Sequence, residues 1–235
     1  MHMPKMRKYL TALRLATVAL STLLAAVSAA PARAQVSGRV QVSDAGGRSA
    51  PDLSDAVVYL DGRGPRGAAP ARPEVALDGR QFRPRVLVVP VGTTVNFPNL
   101  DPFNHNVFSV SEPNAFDLGL YGRGESKNRR LNRPGVVRVF CNIHPRMSAF
   151  ILVRDNAWYT QPGADGSFEI AGVPPGTYTI HVWHERAPEV TREITVPAGG
   201  SSGLSLTLDA SGYRWTQHKN KYGQEYGSGA QRERY

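Results

Sequence analysis

Short apolar runs with a two-residue period dominate the chain after its first third of a hundred residues. In VSGRVQV (36–42), Val36, Gly38, Val40 and Val42 alternate with Ser37, Arg39 and Gln41, the period of a half-buried strand. AVVYL (56–60) is a second strand, apolar throughout. Further β-branched or aromatic runs follow at 75–77, 85–89, 93–97, 106–110, 136–140 and 149–153, each bounded by Pro, Gly or Asn. Later, Phe168 and Ile170 alternate with polar neighbours, a turn falls at Val173-Pro174-Pro175-Gly176, and Tyr178, Ile180 and Val182 share one side of the next strand. Strands are also expected over 188–196 and 204–208. Residues 111–133 carry Gly and charge in place of periodicity and are expected to form a long loop. No apolar repeat of helical period is sustained beyond the N-terminal segment, so the fold class is all-β.

That N-terminal segment has a different pattern. Lys5, Arg7, Lys8 and Arg14 precede an uncharged apolar run from Leu15 to Val27, and Ala32-Arg33-Ala34 gives a small-x-small cleavage signal. Residues 1–34 therefore read as a secretory signal peptide, with an uncleaved anchor as the alternative. The run is too short to span a bilayer comfortably, so no membrane span is expected in the mature chain. Export implies a periplasmic location.

Charge matters only once this segment is set aside. The full chain carries +9. The segment holds five basic residues and no acid, so the mature charge falls from +9 to +4. That modest value gives no reason to expect a nucleic-acid partner.

The chain has 1 cysteine, Cys141. Cysteines of exported proteins usually pair, so a lone one calls for a metal, a reactive thiol or an intermolecular bond. Cys141 lies in FCNIHPRM (140–147), where thiolate, imidazole and thioether recur every third residue as Cys141, His144 and Met147. A mononuclear copper site needs ligands that suit both oxidation states: one thiolate, two imidazoles and a weak axial thioether. A short loop between strands converges three of them, and His105, in FNHNVF, fits as the fourth from a neighbouring strand end. Zinc would ask for more thiolates or a carboxylate. A binuclear copper site would ask for a second cysteine.

Three stretches, GTTVNF (92–97), HNV (105–107) and CNIHPRM (141–147), together resemble the cupredoxins, the small blue copper proteins, and most closely the amicyanin and plastocyanin type. The resemblance covers residues 74–154. It implies a Greek-key β-sandwich with one copper ion held by His105, Cys141, His144 and Met147. It implies that Asn106 ties the two ligand loops by hydrogen bonds, and that the ring edge of His144 reaches the surface as the electron exit. The function so implied is single-electron transfer with a redox protein partner and no enzymatic activity. Copper storage, delivery or sensing is the alternative. Ser148-Ala149 departs from the glycine common after the methionine.

Arg123, Lys127, Arg129, Arg130 and Arg133 form a basic stretch that reads either as a solvated loop or as a docking patch for an acidic partner. Pro102, Phe103 and Pro145 are expected at an apolar rim near the metal. His181 and His184, three apart on a strand, should point to opposite faces and not share an ion.

GSFEIAGVPPGTYTIHV and VSGRVQVSDAGGR resemble the carboxypeptidase regulatory-like β-sandwich. Residues 36–62 and 157–210 are accordingly expected to form one discontinuous sandwich around the cupredoxin segment 74–154. Residues 63–73 would be a mobile linker and 211–235 a flexible basic tail.

Overall fold

The computed structural model describes residues 34–48 and 50–227. The expected signal segment, save Ala34, lies outside these residues. The chain is all-β, with a single 3-10 turn at Leu53–Asp55 among the described residues.

Strands from the two ends of the chain pair with one another. β1 (Ala34–Ser43) lies between β13 (Ser167–Val173), antiparallel, and β16 (Ser201–Asp209), parallel. β2 (Val57–Leu60) lies between β12 (Tyr159–Thr160) and β14 (Gly176–His184), and β15 (Ala187–Val196) completes that sheet. Val36, Val40, Val42, Phe168, Ile170, Ile180, Val182 and Leu208 close a core between the two sheets. Two glycines make this possible. A Cβ on Gly38 would sit 2.1 Å from the Leu204 carbonyl oxygen, so only glycine lets β16 run against β1. Gly166, at φ +81°, would place a Cβ 2.2 Å from the Val40 oxygen, where the turn before β13 crosses β1.

The middle of the chain builds a second core. β5 (Val86–Pro90), β11 (Ser148–Arg154), β10 (Gly135–Cys141), β7 (His105–Ser109) and β8 (Phe116–Tyr121) form one sheet. β6 (Thr93–Pro98) pairs with β9 (Ser126–Leu131), and β3 (Ala76–Leu77) with β4 (Phe82–Arg83). Val89, Val95, Phe97, Val107, Leu131, Val139 and Ile151 pack between them. A third cluster joins the two bodies: Val57 and Tyr59 of β2 meet Val86 and Val88 of β5 and Leu152 of β11. β2 and β5 thus bury both faces, which is why their sequences read as unbroken apolar runs.

Three expectations are corrected here. Residues 111–133 are no loop: they hold β8 and β9. β9, SKNRRL, escaped notice because only Leu131 is buried in it. Its strand state comes from six registered pairs with β6, and its charged side chains face water as suits an edge. Residues 63–73 lack strands, yet the segment is tied down: Pro65 accepts a bond from Ala157 N–H (2.8 Å), and Arg66 donates to the Val91 carbonyl (2.6 Å). Residues 213–227 also lack regular structure, but they are clamped against the middle body as described below.

Candidate metal centre

His105 opens β7 and Cys141 closes β10, and the pair of Cys141 with Val107 sets these ends side by side. The 142–147 loop is then folded by three backbone bonds: Met147 N–H to the His144 carbonyl (3.0 Å), Cys141 N–H to the Met147 carbonyl (3.2 Å), and Asn142 N–H to the Asn106 carbonyl (3.0 Å). As a result Cys141 Sγ lies 3.6 Å from His105 Nδ1 and 3.4 Å from His144 Nδ1. One donor atom from each of the three residues falls within 4.8 Å of the others, and all three residues are buried. Met147 is buried in the same core cluster as Cys141.

Asp101 was not anticipated. Its Oδ2 lies 2.8 Å from His105 Nε2 and accepts the Arg80 N–H at 2.9 Å, while its Oδ1 accepts the Gly79 N–H at 2.7 Å. Burial acts to raise the Asp101 pKa, but the Arg80 N–H, His105 and the Gly79 N–H outweigh it and hold the carboxyl below its usual range. An ionised carboxylate only accepts, so Nε2 carries the imidazole proton and Nδ1 presents its lone pair to the thiol. Burial also lowers the His105 pKa, against the pull of Asp101, which keeps the ring neutral. Two ring nitrogens aimed at one buried thiol, one held by a carboxylate behind it, match the ligand chemistry of a thiolate-imidazole metal site. The signal for Asp101 was present in NLDPFNH, four residues before His105, but no periodicity marks it.

Asn106 accepts the Asn142 N–H through its backbone carbonyl (3.0 Å). Its side chain turns to β8, donating to Asp117 Oδ1 at 2.8 Å, and its own Oδ1 is buried without a partner.

His144 is 5% exposed. Phe103 sits against both imidazoles, its centroid 5.3 Å from His105 and 5.5 Å from His144, with the Arg80 guanidinium over its outer face. Pro102 is exposed and Phe103 half-buried, but Pro145 is buried and adds nothing to a rim. Exposed Leu100, Leu120 and Ile143 supply apolar surface beside the ligand loops.

The C-terminal segment lies on the loop. His218 stacks on Phe140 (4.4 Å, 25°), and Tyr226 donates its hydroxyl to the Cys141 carbonyl at 3.1 Å. Lys221 donates its N–H to Asn142 Oδ1 (2.9 Å) and its ammonium to Asp117 Oδ2 (2.6 Å). Scattered aromatics in a polar stretch were the only sequence sign of this clasp.

The basic residues are not gathered at the His105–Cys141–His144 cluster. Pro98 and Ser126 form the end of the β6–β9 pair near His105, because Asn99 and Phe97 bond Tyr121, which pairs with His105. Lys127 and Arg123 lie by that end. Arg129 and Arg130 run away along β9 toward Thr93, Arg133 lies beyond the end of that strand, and Arg129 donates to the Ala115 carbonyl at 3.1 Å. His181 and His184 take opposite faces: His181 meets Asp61 (2.8 Å), while His184 is buried with Ile180 and Val182.

No family model matches the chain, and no curated protein does. Among solved structures, 95 chains match. A copper-containing nitrite reductase from Thermus scotoductus SA-01 is 32% identical over 40% of this chain, with a TM-score of 0.34. This chain spans only 25% of that reductase. A purple cupredoxin from Nitrosopumilus maritimus is 22% identical over 34% of this chain and 98% of its own, with a TM-score of 0.32. A Cu(I) amicyanin variant is 19% identical over 41% of this chain and 98% of its own, with a TM-score of 0.34. The structures to which this chain is similar are thus cupredoxins and an enzyme that contains copper. No helix among the described residues is long and apolar enough to cross a membrane.

Proposed function

We propose that this protein is an exported, periplasmic carrier of single electrons that holds one copper ion through His105, Cys141, His144 and Met147, and that it is not itself an enzyme. The observation that carries the reading is the convergence of His105 Nδ1 and His144 Nδ1 on the buried Cys141 sulfur. When bound, copper supplies a reversible one-electron couple. Asp101 fixes the tautomer and ring plane of His105, and the bonds from Cys141 and Asn142 hold the loop in one shape. Met147, buried in the same core cluster as Cys141, would supply the weak thioether. Phe103 and the C-terminal segment keep water from the ligands, so little need reorganise as charge changes.

His144, 5% exposed, remains the proposed electron exit. Exposed Leu100, Leu120 and Ile143 offer a contact face for a redox protein, with Arg123 and Lys127 steering an acidic one. Arg129, Arg130 and Arg133 would add only long-range attraction. The pairing of β1 with β13 and β16 supports reading residues 36–62 and 157–210 as one discontinuous sandwich of the carboxypeptidase regulatory type, into which residues 74–154 are inserted.

The test is to load the purified protein with Cu(II). The expected result is one equivalent bound, an intense visible thiolate-to-copper band, and a reversible one-electron wave. Cys141→Ser should lose the band and keep the fold. A colourless complex, or copper that passes readily to a chelator, would favour the delivery reading.

A further inference from the structure

We propose that the cavity between the outer face of the β10–β11 sheet and the C-terminal segment is a binding site for a planar aromatic carboxylate. The proposal stands apart from copper binding and uses none of the metal ligands.

The cavity holds about 450 Å³, within the range of small-molecule pockets. Its floor is aromatic: Phe108 of β7, Phe140 of β10 and Phe150 of β11 all line it. Phe108 and Phe140 lie 5.8 Å apart between centroids at 45°, and His218, also in the lining, stacks on Phe140 at 4.4 Å, so the wall is a group of rings that offers contact surface but few hydrogen bonds. The roof is the 213–223 stretch, including the half-exposed indole of Trp215. Such walls suit a flat ring and give a bare inorganic anion little to hold.

The charge in the cavity is one-sided. Glu185 is the only acid in the lining, and it is taken up by Arg85 through two bonds of 2.6 Å. Arg138 and Arg214 also line the cavity. Neither is paired with a carboxylate among the described residues. Arg214 donates only to the backbone carbonyls of Ser211 and Tyr213. Two guanidinium groups without acids, beside a floor of rings, are complementary to a carboxylate carried on an aromatic body. A carboxylate on the ligand would supply the partner that these two exposed guanidinium groups lack among the described residues.

The probe is 2-naphthoate, added to the full-length mature protein and followed by calorimetry and tryptophan fluorescence. The expected result is saturable 1:1 binding with quenching, and binding of neutral 2-naphthamide weaker by about tenfold or more. The double variant Arg138→Gln with Arg214→Gln changes only exposed side chains, so it should keep its thermal midpoint while its affinity drops by about tenfold. Failure of naphthoate to saturate would overturn the proposal. So would equal affinity for the amide, or an unchanged affinity in the folded double variant. Because the titration needs no metal, its outcome is independent of whether copper binds at His105, Cys141, His144 and Met147.

Discussion

Asp101 stands directly behind His105, its Oδ2 2.8 Å from Nε2, while the same carboxylate gathers the backbone N–H groups of Gly79 and Arg80. The β3–β4 turn, the 99–104 loop and the first residue of β7 are thereby locked together. An amide at position 101 can accept fewer of these three bonds and carries no charge. Asp101→Asn should weaken copper affinity by about 10- to 100-fold, measured by competition with a chelator. It should also destabilise the metal-free protein by about 1–3 kcal/mol in denaturant titrations. Unchanged affinity would show that Asp101 is structural only.

The clasp over the ligand loop makes a separate prediction. Tyr226→Phe removes the donor to the Cys141 carbonyl and should cost about 1 kcal/mol. Ending the chain after Ala210 removes His218 and Lys221 as well. Amides of residues 142–147 should then exchange faster, measured by hydrogen exchange, while those of β1 and β13 should not change.

His184 links stability to pH. It is buried, with Asp52, Glu185 and Arg186 as its charged neighbours. Burial lowers its pKa, assisted by Arg186 and opposed by Asp52 and Glu185. The folded chain therefore resists a proton that the unfolded chain accepts near its ordinary value. Stability should be retained above about pH 6.5 and lost as pH falls toward the depressed folded value. The group contributes at most about 1.4 kcal/mol per pH unit. His184→Leu should flatten denaturant midpoints across that window; an unaltered slope would assign the dependence elsewhere.

Gly38→Ala tests the joining of the chain ends. Its new methyl would meet the Leu204 backbone, which cannot step aside as a side chain can. We expect a loss of about 1–3 kcal/mol and a drop in thermal midpoint measured by circular dichroism. Silence at this position would argue against the parallel β1–β16 pairing.

What could be read from sequence followed the strength of the local signal. The candidate site was legible because Cys141, His144 and Met147 lie within one loop and their donor chemistry is distinctive. β1 and β14 were legible because one face of each is buried and the other wet. β9 was missed because an edge strand owes its conformation to its partner's hydrogen bonds and not to its own apolar residues. Asp101 and the C-terminal clasp were missed because both act through tertiary contacts. A carboxylate bonded to backbone N–H groups leaves no periodic trace, and Tyr226 reaches Cys141 across 85 residues of chain.

The position of β1 also bears on the order in which the molecule can assemble. Arg39 on β1 meets Asp165 across 126 residues, and β16 is farther along still. As the chain is made, β1 has no partner until β13, more than a hundred residues later, has followed. The middle body contains every strand of its own sheets and can close first. Until then β1 is an unpaired edge, and a helper that shields such edges would be most useful to this protein during that interval.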